Sequence, residues 1–305
     1  MLFETHSICP VCRTNGVFWC NAMDWEYRAT DQTYTYLQCP LCLTLFIKRV
    51  PDAALSLIYP LDYYSFSGKP ANLVFKLKNS WDAGFYRSSL KSIASPALSV
   101  LDIGGGTGEV LDVIKTADKR IGYAEIVDID QAAQNIAINK GYAYTCTTIE
   151  KYVTERKFHL ILLLNVIEHV ENPLPILNKA EEMLLPGGII IIKTPNADSL
   201  DARVFKNYYW GGLHCPRHWI IFSDTSFKKI MESSNLTLKK ISFTQGAPFW
   251  TYSILQLFRK KAIHQKKKPL IEHPLFGILS IFFAAFDICR SVFSKTSQMF
   301  IVLTK

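Results

Sequence analysis

Val100-Leu101-Asp102-Ile103-Gly104-Gly105-Gly106-Thr107-Gly108-Glu109 is the stretch that decides the fold. Its apolar start continues Ala97-Leu98-Ser99 and reads as a strand, while Val110 to Thr116 opens a helix. Where a strand turns into a helix against a ligand, the backbone must come close, and only residues without Cβ allow that approach. Gly104, Gly106 and Gly108 supply it at alternating positions. A dinucleotide loop of G-x-G-x-x-G spacing needs a glycine at 109, where Glu109 stands, and no Lys-Ser/Thr pair follows to make a phosphate loop. The expected ligand is therefore nucleotide-like without being a dinucleotide or a triphosphate.

On either side of this loop, helices and strands alternate. Leu73 to Ile93 has helical spacing of apolar residues, Ile121 to Ile129 is a second strand, and Gln131 to Asn139 is a second helix closed by Gly141. Phe158 to Asn165 is apolar almost throughout, as in a strand buried on both faces of a parallel sheet. A helix over 174–185, the turn Pro186-Gly187-Gly188 and a strand Ile189–Lys193 follow, then a helix over 225–233 and a strand over 236–243. This order predicts a doubly wound, Rossmann-like α/β sheet. The second strand ends at Val127-Asp128, where an acid accepts hydrogen bonds from both hydroxyls of a ribose, with Ile129 beside it. Asp130 competes for that role, and a plain helix cap is the alternative for Asp128.

With these segments in register, the chain resembles the class I S-adenosylmethionine-dependent methyltransferases. The resemblance covers most of residues 55–245 plus the last strand. It rests on Leu101 to Gly108, Val127-Asp128-Ile129-Asp130, Asn165-Val166-Ile167-Glu168-His169-Val170, Leu185-Pro186-Gly187-Gly188 and Thr194-Pro195-Asn196. It implies a seven-stranded sheet whose last strand, Gln298–Leu303, inserts antiparallel, and S-adenosylmethionine as cofactor. Gly104, Gly106 and Gly108 would line that cofactor together with Asp102 and Ile129, Asp128 would hold its ribose, and Asn165 would lie near its methionine part. Many members carry an acid near the adenine after the third strand. Here Thr145-Cys146-Thr147-Thr148-Ile149 stands there, so adenine recognition differs or uses backbone groups.

Residues 1–50 read as a separate unit. Cys9-Pro10-Val11-Cys12 and Cys39-Pro40-Leu41-Cys42 are two knuckles separated by the 26 residues 13–38. Each supplies two thiolates from one tight turn, and four make a tetrahedral zinc site with no open position, hence structural rather than catalytic. Cys20 reads as a small buried residue. Short alternating stretches such as Thr33 to Leu37 suggest hairpins too small to bury a core alone. The expected organisation is a zinc ribbon over 1–50, a Tyr- and Pro-containing connector over 51–70, and a domain over 71–305 with an apolar helical insertion at 248–293. Some bacterial methyltransferases carry a similar ribbon ahead of a Tyr-rich connector.

Two histidines are candidates for the chemistry. His169 follows Glu168 past the fourth strand, where ligands bind in such sheets. His218 lies in His214-Cys215-Pro216-Arg217-His218-Trp219, and similar family members carry a Pro-Arg-His segment there, which favours His218 as base or substrate contact. Both are also readable as hydrogen-bonded structural histidines, and His214, His218, Glu168 and His169 together as a metal site. Asp198 or Asp201 is a further base candidate, more naturally a helix cap.

The 305 residues are 49% hydrophobic and 20% charged with a formal net charge of +8, which excludes wholesale disorder and suits anionic partners. Met1 to His6 lacks a basic region before an apolar run, so no signal peptide is expected and a cytoplasmic, reducing setting follows. In the insertion, the uncharged stretch Leu275–Phe286 has twelve residues, whereas spanning a bilayer takes about twenty. The insertion reads either as a peripheral membrane contact, with the basic run Arg259 to Lys268 against anionic headgroups, or as a lid or dimer contact. The expected acceptor is an oxygen of a small molecule or of a cell-envelope glycan or lipid-linked intermediate. One alternative is an RNA methyltransferase using the ribbon, against which Asn165-Val166-Ile167-Glu168 stands in place of the Asn-Pro-Pro-Tyr motif of base methylation. The other is a non-catalytic ribbon module, which the intact glycine loop and Asp128 oppose.

Overall fold

The computed structural model describes residues 7–51, 73–259 and 270–305. The connector 51–70, Pro51 apart, and the lysines at 260–268 lie outside them. In chain order the elements are β1 (Val17–Met23), β2 (Thr33–Gln38), β3 (Leu45–Ile47), α1 (Leu73–Leu90), β4 (Leu98–Ile103), α2 (Glu109–Ala117), β5 (Ile121–Asp128), α3 (Gln131–Asn139), β6 (Ala143–Cys146), β7 (Phe158–Leu164), α4 (Pro173–Glu182), β8 (Leu184–Pro195), α5 (Leu200–Phe205), β9 (Ile220–Ile221), α6 (Asp224–Met231), β10 (Thr237–Thr244), α7 (Ala247–Arg259), α8 (Phe276–Arg290) and β11 (Gln298–Thr304).

Seven strands form one sheet in the order β10-β11-β8-β7-β4-β5-β6. The five from β6 to β8 are parallel, and β11 enters antiparallel between β8 and β10. Because side chains alternate along a strand, the central strands divide between two cores. Leu101, Ile103, Ile161, Leu163, Ile190 and Ile192 face one, packed by α4 and α6. Val100, Leu160, Leu162, Ile189 and Ile191 face the other, under α1 and α2. Burial on both faces is why β7 is apolar from end to end. The turn Pro186-Gly187-Gly188, expected between a helix and a strand, lies inside β8, whose pairing with β7 slips register there.

A second sheet runs β1-β2-β3-β9. Its first three strands belong to the cysteine-rich segment and its fourth to the loop before α6: Leu45 pairs with Ile221 and Phe46 with Ile220. The hairpins that cannot bury a core alone share one. Trp19, Tyr36, Leu45 and Ile47 pack in one cluster with Trp210, Leu213, Cys215, Ile221 and Trp250. Among the described residues no helix is long and apolar enough to cross a membrane.

Candidate active site

The ends of β4 and β7 are neighbours in the sheet, and two of the predicted clusters meet there. Gly104, Gly106 and Gly108 all have positive φ, at 74°, 50° and 78°. A Cβ on Gly104 would collide with Val166, the first residue after Asn165 to pack on the loop, and a Cβ on Gly108 would meet the Tyr142 ring at 2.7 Å. Gly106 differs, since a Cβ there would meet nothing within 4 Å. The outer two glycines thus let the loop close onto the fold, and the middle one faces open space.

Asp128 accepts hydrogen bonds from the N–H of Gly106 at 2.8 Å and of Asp130 at 2.9 Å, one on each carboxylate oxygen. Each oxygen keeps a lone pair for a ligand hydroxyl. Asp130 caps α3 by accepting from the N–H of Ala132, which leaves Asp128 as the acid beside the loop. Ile129 is exposed next to it. Asp102 is buried beneath Gly105 with Oδ2 lacking a hydrogen-bond partner. Burial, with the nearby Asp128 charge, pushes its carboxyl up to about 8. Asn165 has a φ of 55°, with Oδ1 accepting from Gln298 at 3.3 Å. It borders a cavity of about 60 Å³ together with the buried ion pair Lys193–Asp82, 3.0 Å long.

Beyond Asn165, one turn of 3-10 helix holds Glu168 and His169. Glu168 is fully buried, with Oε2 accepting from the Thr194 hydroxyl at 3.1 Å and Oε1 without a hydrogen-bond partner. Burial pushes its carboxyl up to about 8. His218 arrives from the far loop with Nε2 at 4.0 Å from Glu168 Oε1. Its Nδ1 is 2.7 Å from the carbonyl oxygen of Gly212 and must donate to it, so in the neutral ring Nε2 carries the lone pair. By the same logic His169 donates Nδ1–H to the carbonyl of Arg217 at 3.0 Å. The two rings stand edge to face, 4.8 Å apart. Burial holds His169 down to about 3 and His218 well below the ordinary imidazole value. Glu168, His169 and His218 fall together within 4.8 Å, whereas His214 turns away to Glu26.

Neither Asp198 nor Asp201 caps a helix, contrary to expectation. Ser199 caps α5, while buried Asp201 accepts from Trp210 Nε1 at 2.7 Å and from the Ser297 hydroxyl at 2.8 Å. Asp198 pairs with Lys295.

The four knuckle cysteines converge. Cys9 and Cys42 sulfurs are 3.6 Å apart, and Cys12 and Cys39 sulfurs 3.3 Å. A tetrahedral zinc with bonds of about 2.3 Å sets its sulfurs about 3.8 Å apart, so this cluster can hold zinc with small adjustment. Cys20 is buried in the shared core, outside the cluster.

Residues 77–241, more than half of the chain, match the family described as a methyltransferase domain. The chain belongs to that family. It is a class I S-adenosylmethionine-dependent methyltransferase. Over 120 residues the methyltransferase is 32% identical to the ubiquinone biosynthesis O-methyltransferase of Bradyrhizobium sp. (strain ORS 278), covering 37% of this chain and 46% of that protein. Over 123 residues it is 33% identical to the protein of the same name from Cereibacter sphaeroides (strain ATCC 17029 / ATH 2.4.9), covering 37% and 48%. The chain thus spans about half the length of these curated relatives. Its fold is similar to the crystal structure of a coclaurine N-methyltransferase bound to N-methylheliamine and SAH, with a TM-score of 0.51, 15% identity and coverage of 79% and 78%. The glycine loop fits the cofactor on this chain's own features: an open cradle at Gly106, free lone pairs on Asp128 and an unpartnered Asp102 oxygen.

Four residues that sequence reasoning missed tie the His218 loop of this methyltransferase to the cysteine-rich segment. Asp24 binds Arg217, Glu26 binds His214 and Tyr209, Tyr36 donates its hydroxyl to the carbonyl of His218 at 3.0 Å, and Ser223 donates to the carbonyl of Cys42 at 2.8 Å. Acids and a tyrosine in a hairpin carry no periodic signal, so only the fold brings them to the loop.

Proposed function

We propose that this methyltransferase acts on an oxygen of a small molecule or of a cell-envelope glycan or lipid-linked intermediate, with His218 as the base. The observation that carries this is the tautomer of His218: its Nδ1–H is committed to Gly212, so Nε2 is available to accept a proton at the sheet edge that bears the glycine loop. Bound S-adenosylmethionine supplies an electrophilic methyl group on a sulfonium sulfur. Gly104, Gly106 and Gly108 let the backbone come close enough to hold it, Asp102 and Ile129 border it, Asp128 fixes the ribose, and Asn165 borders the methionine end. His218 Nε2 takes the proton of the acceptor hydroxyl, with Glu168 Oε1 4.0 Å away on its inner side. His169, neutral and edge-on to His218, keeps that ring in place. Oxygen as the acceptor atom is favoured by the two relatives named as O-methyltransferases. In the same proposal zinc on Cys9, Cys12, Cys39 and Cys42 is structural, and the insertion 248–293 makes a peripheral membrane contact.

Incubating extract with the protein and methyl-labelled cofactor identifies the acceptor. Label is expected in an oxygen-methylated small molecule or lipid-extractable glycan. Label on RNA or protein alone would remove the reading.

A further inference from the structure

The helical insertion has two unlike sides. On the inner side α7 grips the loop that ends in His218. Ser253 accepts the N–H of Gly211 at 2.8 Å, and Phe249 packs edge-on against Trp210. Trp250 stacks on Phe283 at 5.1 Å and so ties α7 to α8. Buried Asp287 accepts from Gly246 and from the Trp250 indole, and locks the hairpin to the sheet through the Ser297 hydroxyl.

On the outer side, Ile278, Ile281, Phe282, Phe286, Val292 and Phe293 are all exposed, Ile278 at 67%, Phe282 at 61% and Phe293 at 89%. The first four lie on α8, where at about 100° per residue they fall within one arc of about 140°, and Val292 and Phe293 follow just past its end. The arc holds no charged side chain: Asp287 and Arg290, the charged residues of α8, fall outside it and pair with each other at 2.9 Å. A helix facing water places polar groups on such an arc, and an apolar one marks a surface that meets a partner.

Charge says which partner. The chain between α7 and α8 contains Lys260, Lys261, Lys266, Lys267 and Lys268 and no acid before Glu272. In sequence this stretch lies between Phe258, itself 72% exposed, and Leu270, a few residues ahead of the stripe. Two copies meeting along α8 would bring these like charges together, whereas anionic headgroups would neutralise them. We infer that α8 lies flat in the interface of an anionic phospholipid bilayer, its stripe among the acyl chains. This extends the lipid-linked acceptor proposed above, yet its readout needs no acceptor. So placed, the insertion sets the His218 loop at the membrane surface.

The test is flotation of the full chain with vesicles of phosphatidylglycerol and phosphatidylcholine in equal parts, and with phosphatidylcholine alone. The protein is expected to float with the anionic vesicles and to be released by high salt. The exposed double variant Ile278→Glu/Phe282→Glu should partition about tenfold more weakly or less still, with cofactor affinity unchanged as the control for folding. Failure to float with anionic vesicles would overturn the inference. So would equal flotation of the variant, or a variant that merely turns a dimer into a monomer. Flotation without methyl transfer to any lipid-linked acceptor would keep the docking surface and remove the acceptor reading.

Discussion

Arg217 and Asp24 form a two-pronged ion pair, 3.2 Å at Nη1–Oδ1 and 2.9 Å at Nη2–Oδ2, with both side chains wholly out of solvent. Asp24 also accepts the N–H groups of Tyr27 and Ala29, so its lone pairs are fully used. The guanidinium lies over the Tyr27 ring at 4.6 Å. One residue from the candidate base, the loop is therefore bolted to the cysteine-rich segment.

Asp24→Ala leaves Arg217 buried without its counter-charge. The expected loss is about 3–5 kcal/mol of stability. Urea unfolding measures it, and a loss below about 1 kcal/mol would show that water reaches the pair.

His218→Ala is expected to lower turnover by about a hundredfold to ten-thousandfold. Cofactor affinity, read by calorimetric titration, should stay within about twofold, because His218 lies outside the glycine cradle. Equal loss in both quantities would make His218 a structural residue.

Stability should fall as pH rises from about 6.5 to 8. Glu168 titrates near 8 in the fold but near its ordinary value of 4.5 when unfolded, so between the two the unfolded chain has already lost a proton that the fold retains. Glu168→Gln removes that difference and should flatten the slope by about 1.4 kcal/mol per pH unit. The acid side has the opposite sign: His169 and His218 are held neutral, so stability falls as pH drops below about 6.5. Unfolding midpoints across this range decide whether the two slopes are present.

Gly106→Ala places a Cβ in the open cradle at a φ of 50°. Backbone strain of about 1–2 kcal/mol and loss of room for the ligand act together, so cofactor affinity should fall by more than about tenfold. An unchanged dissociation constant would mean that the cofactor does not approach this face.

Chelating the metal, or Cys39→Ser, should lower turnover by about tenfold or more with cofactor affinity little changed, since the knuckle carbonyl of Cys42 holds Ser223 at the end of the loop. Metal content and turnover measured on the same samples should fall together.

The sheet and its glycine loop were legible because their signals are local. Gln131 to Asn139 became a helix with those ends since Asp130 caps it and Gly141, at a φ of 84°, follows it. Residues 158–164 could only be a doubly buried strand. Ile220–Ile221 was not legible, being two residues with no period to detect, yet it adds a strand from the loop before α6 to the small sheet. Lys193 after four isoleucines looked like a strand end, but it faces Asp82 on α1 while its neighbour Thr194 faces Glu168 on the opposite side. His218 was singled out by motif. Its tautomer was not, because that depends on the Gly212 carbonyl, which the chain fold alone brings to it.

Tyr36 and His218 stand 182 positions apart. During synthesis the cysteine segment leaves the ribosome long before β9 exists, with β3 as an unpaired edge and an apolar face without cover. Cysteine ligation can close the knuckles at once, but the small sheet waits for most of the large domain to be made. The cysteine-rich sheet is therefore translated well before β9 and finished only after it.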